Sequence, residues 1–153
     1  MKTKITLIFA IILCLSTFAK AENTIIVDKP NMTISVVNEE NDTIFTAPCC
    51  PGKNLGNKTQ RGDHKTPEGK FSIMTVEKAE HWVDSKGNVT GDYGPWFMRL
   101  KVPGFNSIGI HGTNEPETVG TRASMGCIRL LNDDLTALVR LVGIGTPVII
   151  LPD

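Results

Sequence analysis

The 153-residue sequence lacks several features that mark common classes of protein. It has no block of lysine and arginine and no basic run interleaved with aromatic residues, so nucleic-acid binding is not indicated. No pair of cysteines or histidines has the C-x-x-C or H-x-x-x-H spacing that structural zinc favours, so we expect no metal site. Internal repeats, low-complexity tracts and linkers are also missing, which indicates one domain.

The first residues have the pattern of an export signal. Two lysines precede an uncharged, mostly apolar run over residues 5–18, which is shorter than the roughly 20 residues that a membrane-spanning helix needs. Residues 19–21 then offer an Ala-x-Ala cleavage site. We therefore expect residues 1–21 to be a removed signal peptide. Residues 22–153 would be the mature domain, without a stable membrane span, in the periplasm or the cell-wall space. This domain carries 13 basic and 16 acidic side chains, because three lysines lie in the signal, and its formal charge is −3.

The mature domain has three cysteines, Cys49, Cys50 and Cys127. An odd number in an exported protein leaves at least one thiol without an intramolecular disulfide partner. Adjacent Cα atoms are about 3.8 Å apart, whereas disulfides usually need about 4.4–6.8 Å, so a bridge between Cys49 and Cys50 would be strained. We expect Cys127 to be a free thiol, and the adjacent pair to be either small apolar residues or a redox-sensitive pair.

Short runs of β-branched residues, separated by Gly, Pro and Asn, predict a mainly β domain. The predicted strands are residues 24–27, 32–37, 42–47, 71–76, 96–102, 107–111 and 147–151. One short helix is predicted after the Cys127 loop, with Asn132 or Asp133 as its cap, an apolar stripe over residues 135–142 and Gly143 at its end. We expect a single compact β-sandwich or partly open barrel, since the pattern alone does not distinguish the two.

His111 and Cys127, sixteen positions apart, form the most informative pair in the chain. A cysteine attacks as a thiolate, and a free thiol with a pKa of about 8.5 is mostly protonated at neutral pH. A neighbouring imidazole can take that proton and later return it to a leaving amine. The pair therefore predicts a cysteine acyltransferase or hydrolase. A buried structural cysteine and a structural histidine are the alternatives.

The residues around this pair can form a turn that binds an oxyanion. Met125 and Gly126 place no β-branched side chain before the thiol, and Gly126 permits the dihedral angles that such a turn requires. Gly112 allows another part of the backbone to come close to His111. We therefore expect Gly112, Met125 and Gly126 to belong to the site.

Four segments resemble, in order and spacing, the catalytic signature of the L,D-transpeptidase (YkuD-type) family. These segments are residues 62–71 with their Thr-Pro-x-Gly turn, residues 109–113, residues 124–130 and residues 145–150. The resemblance extends over nearly all of residues 24–151. It implies the fold of an L,D-transpeptidase catalytic domain.

The resemblance also implies a reaction. Such enzymes act without a cofactor on peptidoglycan stem peptides outside the cytoplasmic membrane. The thiolate attacks the carbonyl of the third, diamino acid residue of a tetrapeptide stem and expels the terminal D-alanine. The thioester then passes to an amine on a second stem, which cross-links the wall. Transfer to another amine or to water, giving D-amino-acid exchange or carboxypeptidase activity, is the alternative. Because no ATP is available outside the cytoplasmic membrane, a new amide bond can form only if the thioester conserves the energy of the amide bond that was broken.

The resemblance assigns roles to individual positions. The nucleophile, the base and the oxyanion region fall on Cys127, His111 and Gly126. Arg129 matches the family's arginine two positions after the nucleophile, where it either braces the loop or binds a carboxylate. Met125 stands where many members have histidine, so a second imidazole is not implied. Ser124 is expected to make hydrogen bonds within the turn.

Three further interpretations concern the rest of the chain. Residues 77–97 contain several glycines and aromatic residues, and we expect this segment to line or cover the substrate groove, with a hydrophobic plug as the alternative. The turn over residues 66–69 is expected to serve the fold. Sortase and a wall-binding module without turnover are competing classes. The sortase spacing between His and Cys is much longer, and an intact His111 and Cys127 argue against a non-enzymatic module.

Overall fold

The computed structural model describes residues 23–153, so the predicted signal peptide lies outside the described residues. Within this part of the chain there are eight strands, one α-helix and a 3₁₀ turn at Pro116–Thr118. The strands are β1 (Thr24–Asp28), β2 (Thr33–Val37), β3 (Thr43–Pro48), β4 (Gly69–Lys78), β5 (Trp96–Leu100), β6 (Gly109–His111), β7 (Ile128–Arg129) and β8 (Pro147–Ile150). The helix α1 covers Asn132–Leu141. No helix among residues 23–153 has the length and apolar character needed to cross a membrane.

The eight strands form one curled, half-barrel sheet in the order β3-β2-β1-β8-β4-β5-β6-β7. The pairs β1–β8 and β6–β7 are parallel, and the other pairs are antiparallel. The ten-residue β4 joins the two halves, because its first residues pair with β8 and its later ones with β5. A register shift between Ile73 and Thr75 lies near this change of partner, and such irregularities bend and twist a strand. The mainly β prediction is confirmed, as a partly open barrel.

The hydrophobic core packs the sheet against α1. In β1 and β2, buried residues alternate with half-buried ones, as expected for strands with one face on the core. The helix adds Leu135 and Leu138, both fully buried, to the same cluster. All three residues of β6 are buried instead of alternating. His111, the last residue of β6, therefore lies inside the molecule and not on an exposed edge.

The predicted helix is confirmed, but its predicted cap is wrong. Leu131 precedes the first helical residue, and no side chain makes a capping hydrogen bond there. The Asn132 Oδ1 atom instead accepts a hydrogen bond from the Thr113 amide, with an N–O distance of 2.9 Å. The Asn132 side chain is thus used to hold the start of α1 against the segment that follows β6.

Strand β7 is not among the predicted strands, because two residues are too few to show a period. It lies parallel to β6, with Arg129 opposite His111. On its other side, the main chains of Arg129 and Cys50 exchange two hydrogen bonds of 2.8 and 3.0 Å. These pairings hold the Cys127 loop next to the strand that carries His111.

Candidate active site

A cavity of about 940 Å³ lies beside β6 and β7. Of the predicted site residues, the cavity wall includes His111, Ser124, Met125, Cys127 and Arg129. Gly112 and Gly126 are buried next to this wall. The structure therefore brings the two reactive side chains, sixteen positions apart in sequence, to one cavity.

The imidazole of His111 has a defined tautomer. Its Nδ1 atom is 2.6 Å from the Gly112 carbonyl oxygen, and because a carbonyl oxygen can only accept, Nδ1 carries the proton. Burial lowers the pKa of His111 to about 4, and the charge of Arg129 acts in the same direction, while the bond to Gly112 opposes the shift. At neutral pH the ring is therefore uncharged, and its Nε2 lone pair is available as a base.

Aromatic side chains fix the plane of this imidazole. The Phe97 ring stacks on it at 5.5 Å with an interplanar angle of 11°, and the Tyr93 ring meets it edge-on at 5.0 Å. Trp82 packs against both Tyr93 and Phe97, with centroid distances of 5.3 Å. From the 77–97 segment, Asp92 and Tyr93 line the cavity, and Trp82 packs against Tyr93. The segment thus contributes both to the groove and to the packing beneath it.

The thiol of Cys127 is protonated and hydrogen-bonded in this structure. Its Sγ atom donates to the Ser107 carbonyl oxygen at 3.3 Å. Burial raises the pKa of the Cys127 thiol, and a hydrogen bond from the Gly109 main chain and the charge of Arg129 partly oppose this effect. A base is therefore needed to generate the thiolate.

The turn before Cys127 is held by the Ser124 hydroxyl. The Ser124 Oγ atom accepts a hydrogen bond from the Gly126 amide at 3.0 Å and donates to the Cys127 carbonyl oxygen. Gly126 has a φ angle of +131°, and a Cβ atom built there would lie 2.9 Å from the Lys65 carbonyl oxygen. A side chain at this position is thus opposed both by the backbone conformation and by a neighbouring main chain. Met125, by contrast, is 74 % exposed at the cavity mouth.

A second hydroxyl, that of Thr66, orients the Gly126–Cys127 peptide. Thr66 is buried, and its Oγ1 atom accepts a hydrogen bond from the Gly52 amide at 2.7 Å and donates to the Gly126 carbonyl oxygen at 3.0 Å. In a planar trans peptide the C=O and N–H groups point in opposite directions. Holding the Gly126 carbonyl therefore directs the Cys127 N–H group away from Thr66.

Gly112 permits a close contact between three segments. A Cβ atom built on it would collide with the Asn132 side chain and would lie 3.0 Å from the Gly94 Cα atom. The Gly112 amide also donates to the Tyr93 carbonyl oxygen at 2.9 Å. Gly112 thus holds the end of the 77–97 segment against β6 and α1.

Arg129 belongs to the cavity wall and is already paired there. One of its terminal nitrogens lies 2.7 Å from Glu115 Oε2, and its main chain is bonded to Cys50. Arg129 thus ties β7 to Glu115 and Cys50, and it also lines the cavity.

The other cysteines form neither a disulfide nor a metal site in the described part of the chain. Cys49, Cys50 and Cys127 are free thiols, and burial raises the pKa of Cys49 to about 12. Among residues 23–153 no group of three His, Cys, Asp or Glu side chains is arranged to hold a metal ion.

Three contributors to this site are not predicted by the sequence reasoning: Lys58, Thr66 and Ser107. Thr66 lies in the Thr-Pro-x-Gly turn, so its motif was visible, but its bond to a residue 60 positions away was not. Ser107 acts through its main-chain carbonyl, which no side-chain pattern reveals. Lys58 lies in no recognised motif.

The chain is thus a β protein whose curled sheet carries a cavity lined by a cysteine thiol and an uncharged imidazole. The chain belongs to the L,D-transpeptidase catalytic-domain family, whose model matches residues 22–150. The resemblance predicted from the sequence is confirmed.

Individual relatives agree with this membership. YqjB and YkuD of Bacillus subtilis, which both carry L,D-transpeptidase names, are 37 % identical over 102 residues and 34 % identical over 119 residues. These matches cover 62 % and 78 % of this chain, and 57 % and 58 % of the relatives. Among solved structures, Bd1075 of Bdellovibrio bacteriovorus has a TM-score of 0.62 at 26 % identity, covering 89 % of this chain and 50 % of that one. The chain thus spans little more than half the length of the curated relatives it matches.

Proposed function

We propose that this protein is an exported peptidoglycan L,D-transpeptidase acting in the periplasm or the cell-wall space. The observation that carries the proposal is the pair in the cavity. His111 is uncharged, its Nδ1 proton is bound to the Gly112 carbonyl oxygen, and it shares the wall with the Cys127 thiol. Family membership supports peptidoglycan stem peptides as donor and acceptor. The signal-like residues 1–21 support export.

The reaction begins with proton transfer from the Cys127 thiol to His111 Nε2. The thiol leaves the Ser107 carbonyl for this step, and catalytic hydrogen bonds often form only when substrate binds. Sγ attacks the carbonyl carbon of the third, diamino acid residue of a tetrapeptide stem. The C–N bond to the terminal residue breaks, and His111 returns its proton to the amine of the departing D-alanine.

The thioester then reacts with an acceptor. An amine of a second stem attacks its carbonyl, His111 takes a proton from that amine, and the thiolate leaves and is reprotonated. One amide is broken and one is formed, so no external energy source is needed. Water as acceptor would give a carboxypeptidase, and a free D-amino acid would give exchange.

The oxyanion that forms in both steps needs a main-chain donor. The Gly126 amide is already bound to Ser124, whereas the Cys127 amide is directed away from Thr66 by the bond to the Gly126 carbonyl. The Cys127 amide is therefore the donor that this turn offers to the oxyanion.

Intact-protein mass spectrometry with a purified tetrapeptide stem tests the proposal. The wild-type protein should gain the mass of the stem minus D-alanine, and Cys127→Ala should gain nothing. His111→Gln should form the adduct about 10²- to 10⁴-fold more slowly. The matched control is His81→Gln, because His81 is exposed. The acyl-enzyme is then offered a second stem, D-methionine or water alone as the acceptor. The products distinguish cross-linking, exchange and hydrolysis.

Two results would contradict the proposal. One is a wild-type protein that, under reducing conditions, forms no adduct and releases no D-alanine, which would favour a wall-binding module. The other is an adduct that persists in Cys127→Ala, which would move the nucleophile elsewhere.

A further inference from the structure

A buried cation stands beside the turn that precedes the nucleophile. The Lys58 side chain is only 5 % exposed, and Lys58 is one of the residues that line the cavity. A Cβ atom built on Gly126 would lie 3.6 Å from Lys58 Nζ, and the same nitrogen is 5.1 Å from the centroid of the Phe105 ring. The proposed reaction of His111 and Cys127 does not use this charge.

The loop around Lys58 is organised by one carboxylate. Asp63 accepts hydrogen bonds from Lys58 Nζ at 2.7 Å and from the amides of Thr59, Gln60 and Lys65 at 2.8–3.1 Å. Although burial acts to raise it, these hydrogen bonds hold the pKa of Asp63 well below its usual range. An ammonium group has three donors, and Asp63 accepts from it at one oxygen. Lys58 is therefore kept in one position as a donor beside the cavity.

The charges that line the cavity fall into two groups. Lys58 and Arg61 come from the loop before β4, and His64 of the same loop also lines the cavity. The second group contains the acids that line the cavity, Asp92 and Glu115. Asp92 accepts a hydrogen bond from Asn114, and Glu115 is ion-paired with Arg129. Each side of the cavity thus holds an ion-paired cation, Lys58 with Asp63 and Arg129 with Glu115, and the loop side adds Arg61 at the rim.

We propose that Lys58, with Arg61 at the rim, forms a subsite for the C-terminal carboxylate of the donor stem. This inference rests on the proposed function. In a tetrapeptide the terminal carboxylate lies one residue beyond the carbonyl that Cys127 attacks, and consecutive Cα atoms are about 3.8 Å apart. A cation next to residue 126 is therefore close enough to bind the carboxylate while Sγ reaches the carbonyl. Lys58 would thereby set cleavage at one residue from the end of the stem.

Two donors that differ in one group test this subsite. The tetrapeptide stem and its C-terminal carboxamide have the same scissile bond, but only the first carries the carboxylate. The wild-type enzyme should prefer the free acid in kcat/KM by about 10- to 100-fold, the range expected for a hydrogen bond to a charged group. In Lys58→Met most of this preference should be lost, because turnover of the free acid decreases and turnover of the amide is retained.

The control variants separate recognition from folding. Lys70→Met changes an exposed lysine on β4 outside the cavity, and its preference should match the wild type. Lys58→Arg should restore part of the preference. Arg61→Gln, at an exposed position, should reduce it less than Lys58→Met does, and it serves if Lys58→Met fails to fold.

The subsite is overturned if Lys58→Met slows both donors equally, which would mean that Lys58 only braces the turn. It is also overturned if the wild-type enzyme turns over both donors at the same rate. A wild-type protein that turns over neither donor would instead refute the proposed function, so the two failures are distinguishable.

Discussion

The half of the sheet formed by β1, β2 and β8 and the half formed by β5, β6 and β7 are held together in different ways. Strands β1 and β2 pair over five consecutive residues without a register shift, and their buried positions alternate. Strands β6 and β7 have only three and two residues. Around them, the Thr66 hydroxyl donates a hydrogen bond, and the Ser124 hydroxyl and the Asn132 side-chain oxygen accept hydrogen bonds, which supply connections that the short ladders do not.

This difference indicates that stability and catalytic geometry depend on different residues. The first half is stabilised by apolar burial, which is nondirectional and tolerates small shifts. The site half positions the Cys127 turn through directional bonds between buried polar groups, each of which is costly to leave unpaired. Changes in the two halves should therefore separate loss of stability from loss of turnover.

The largest change in stability is expected in the first half. Ile34→Ala removes a fully buried side chain from β2 and should lower the free energy of unfolding by about 2–5 kcal/mol. Because Ile34 is not part of the cavity wall, kcat/KM of the folded protein should be unchanged. Urea denaturation and D-alanine release measure the two quantities. The milder change Ile34→Val is the control, and it should lower the free energy of unfolding by about 0.5–1.5 kcal/mol. A fall in kcat/KM of fully folded Ile34→Ala would show that the halves are coupled.

A smaller change in stability, but a larger change in turnover, is expected at Thr66. Thr66→Val keeps the shape and leaves the Gly52 amide and the Gly126 carbonyl without their partner, which should cost about 1–3 kcal/mol of stability. Because the Gly126–Cys127 peptide loses its orientation, kcat should fall more than KM rises. Thr66→Ser, which keeps the hydroxyl, should behave like the wild type. An unchanged kcat in folded Thr66→Val would remove Thr66 from the account of the site.

The same contrast explains what could be predicted from the sequence. Runs of β-branched residues between turn residues predict β1, β2 and β8, and the apolar stripe of α1 predicts its buried face. Strand β7 is too short to show a period. The cap of α1 was wrong because the Asn132 side chain binds the Thr113 amide, a tertiary contact that overrides the local preference.

The site was predictable where it depends on residue type and motif, and not where it depends on distant contacts. His111, Cys127 and Gly126 were predicted from their spacing and from the sequence motifs around them. Thr66 reaches Gly126 across 60 positions, and Lys58 comes beside the same turn through the folding of its loop around Asp63. Such contacts follow from the closure of the sheet, which no single segment encodes.

The pH dependence of acyl-enzyme formation tests most directly whether an uncharged His111 is the base for Cys127. Burial lowers the pKa of His111 to about 4, and only the unprotonated imidazole can accept the thiol proton. As the pH is lowered, kcat/KM for adduct formation should therefore fall with a midpoint at about pH 4. His111→Gln should abolish this acid limb of the pH profile, and His81→Gln should keep it. An acid limb with its midpoint at about pH 6.5, the ordinary pKa of histidine, would contradict this role of His111. An acid limb that persists in His111→Gln would contradict it as well.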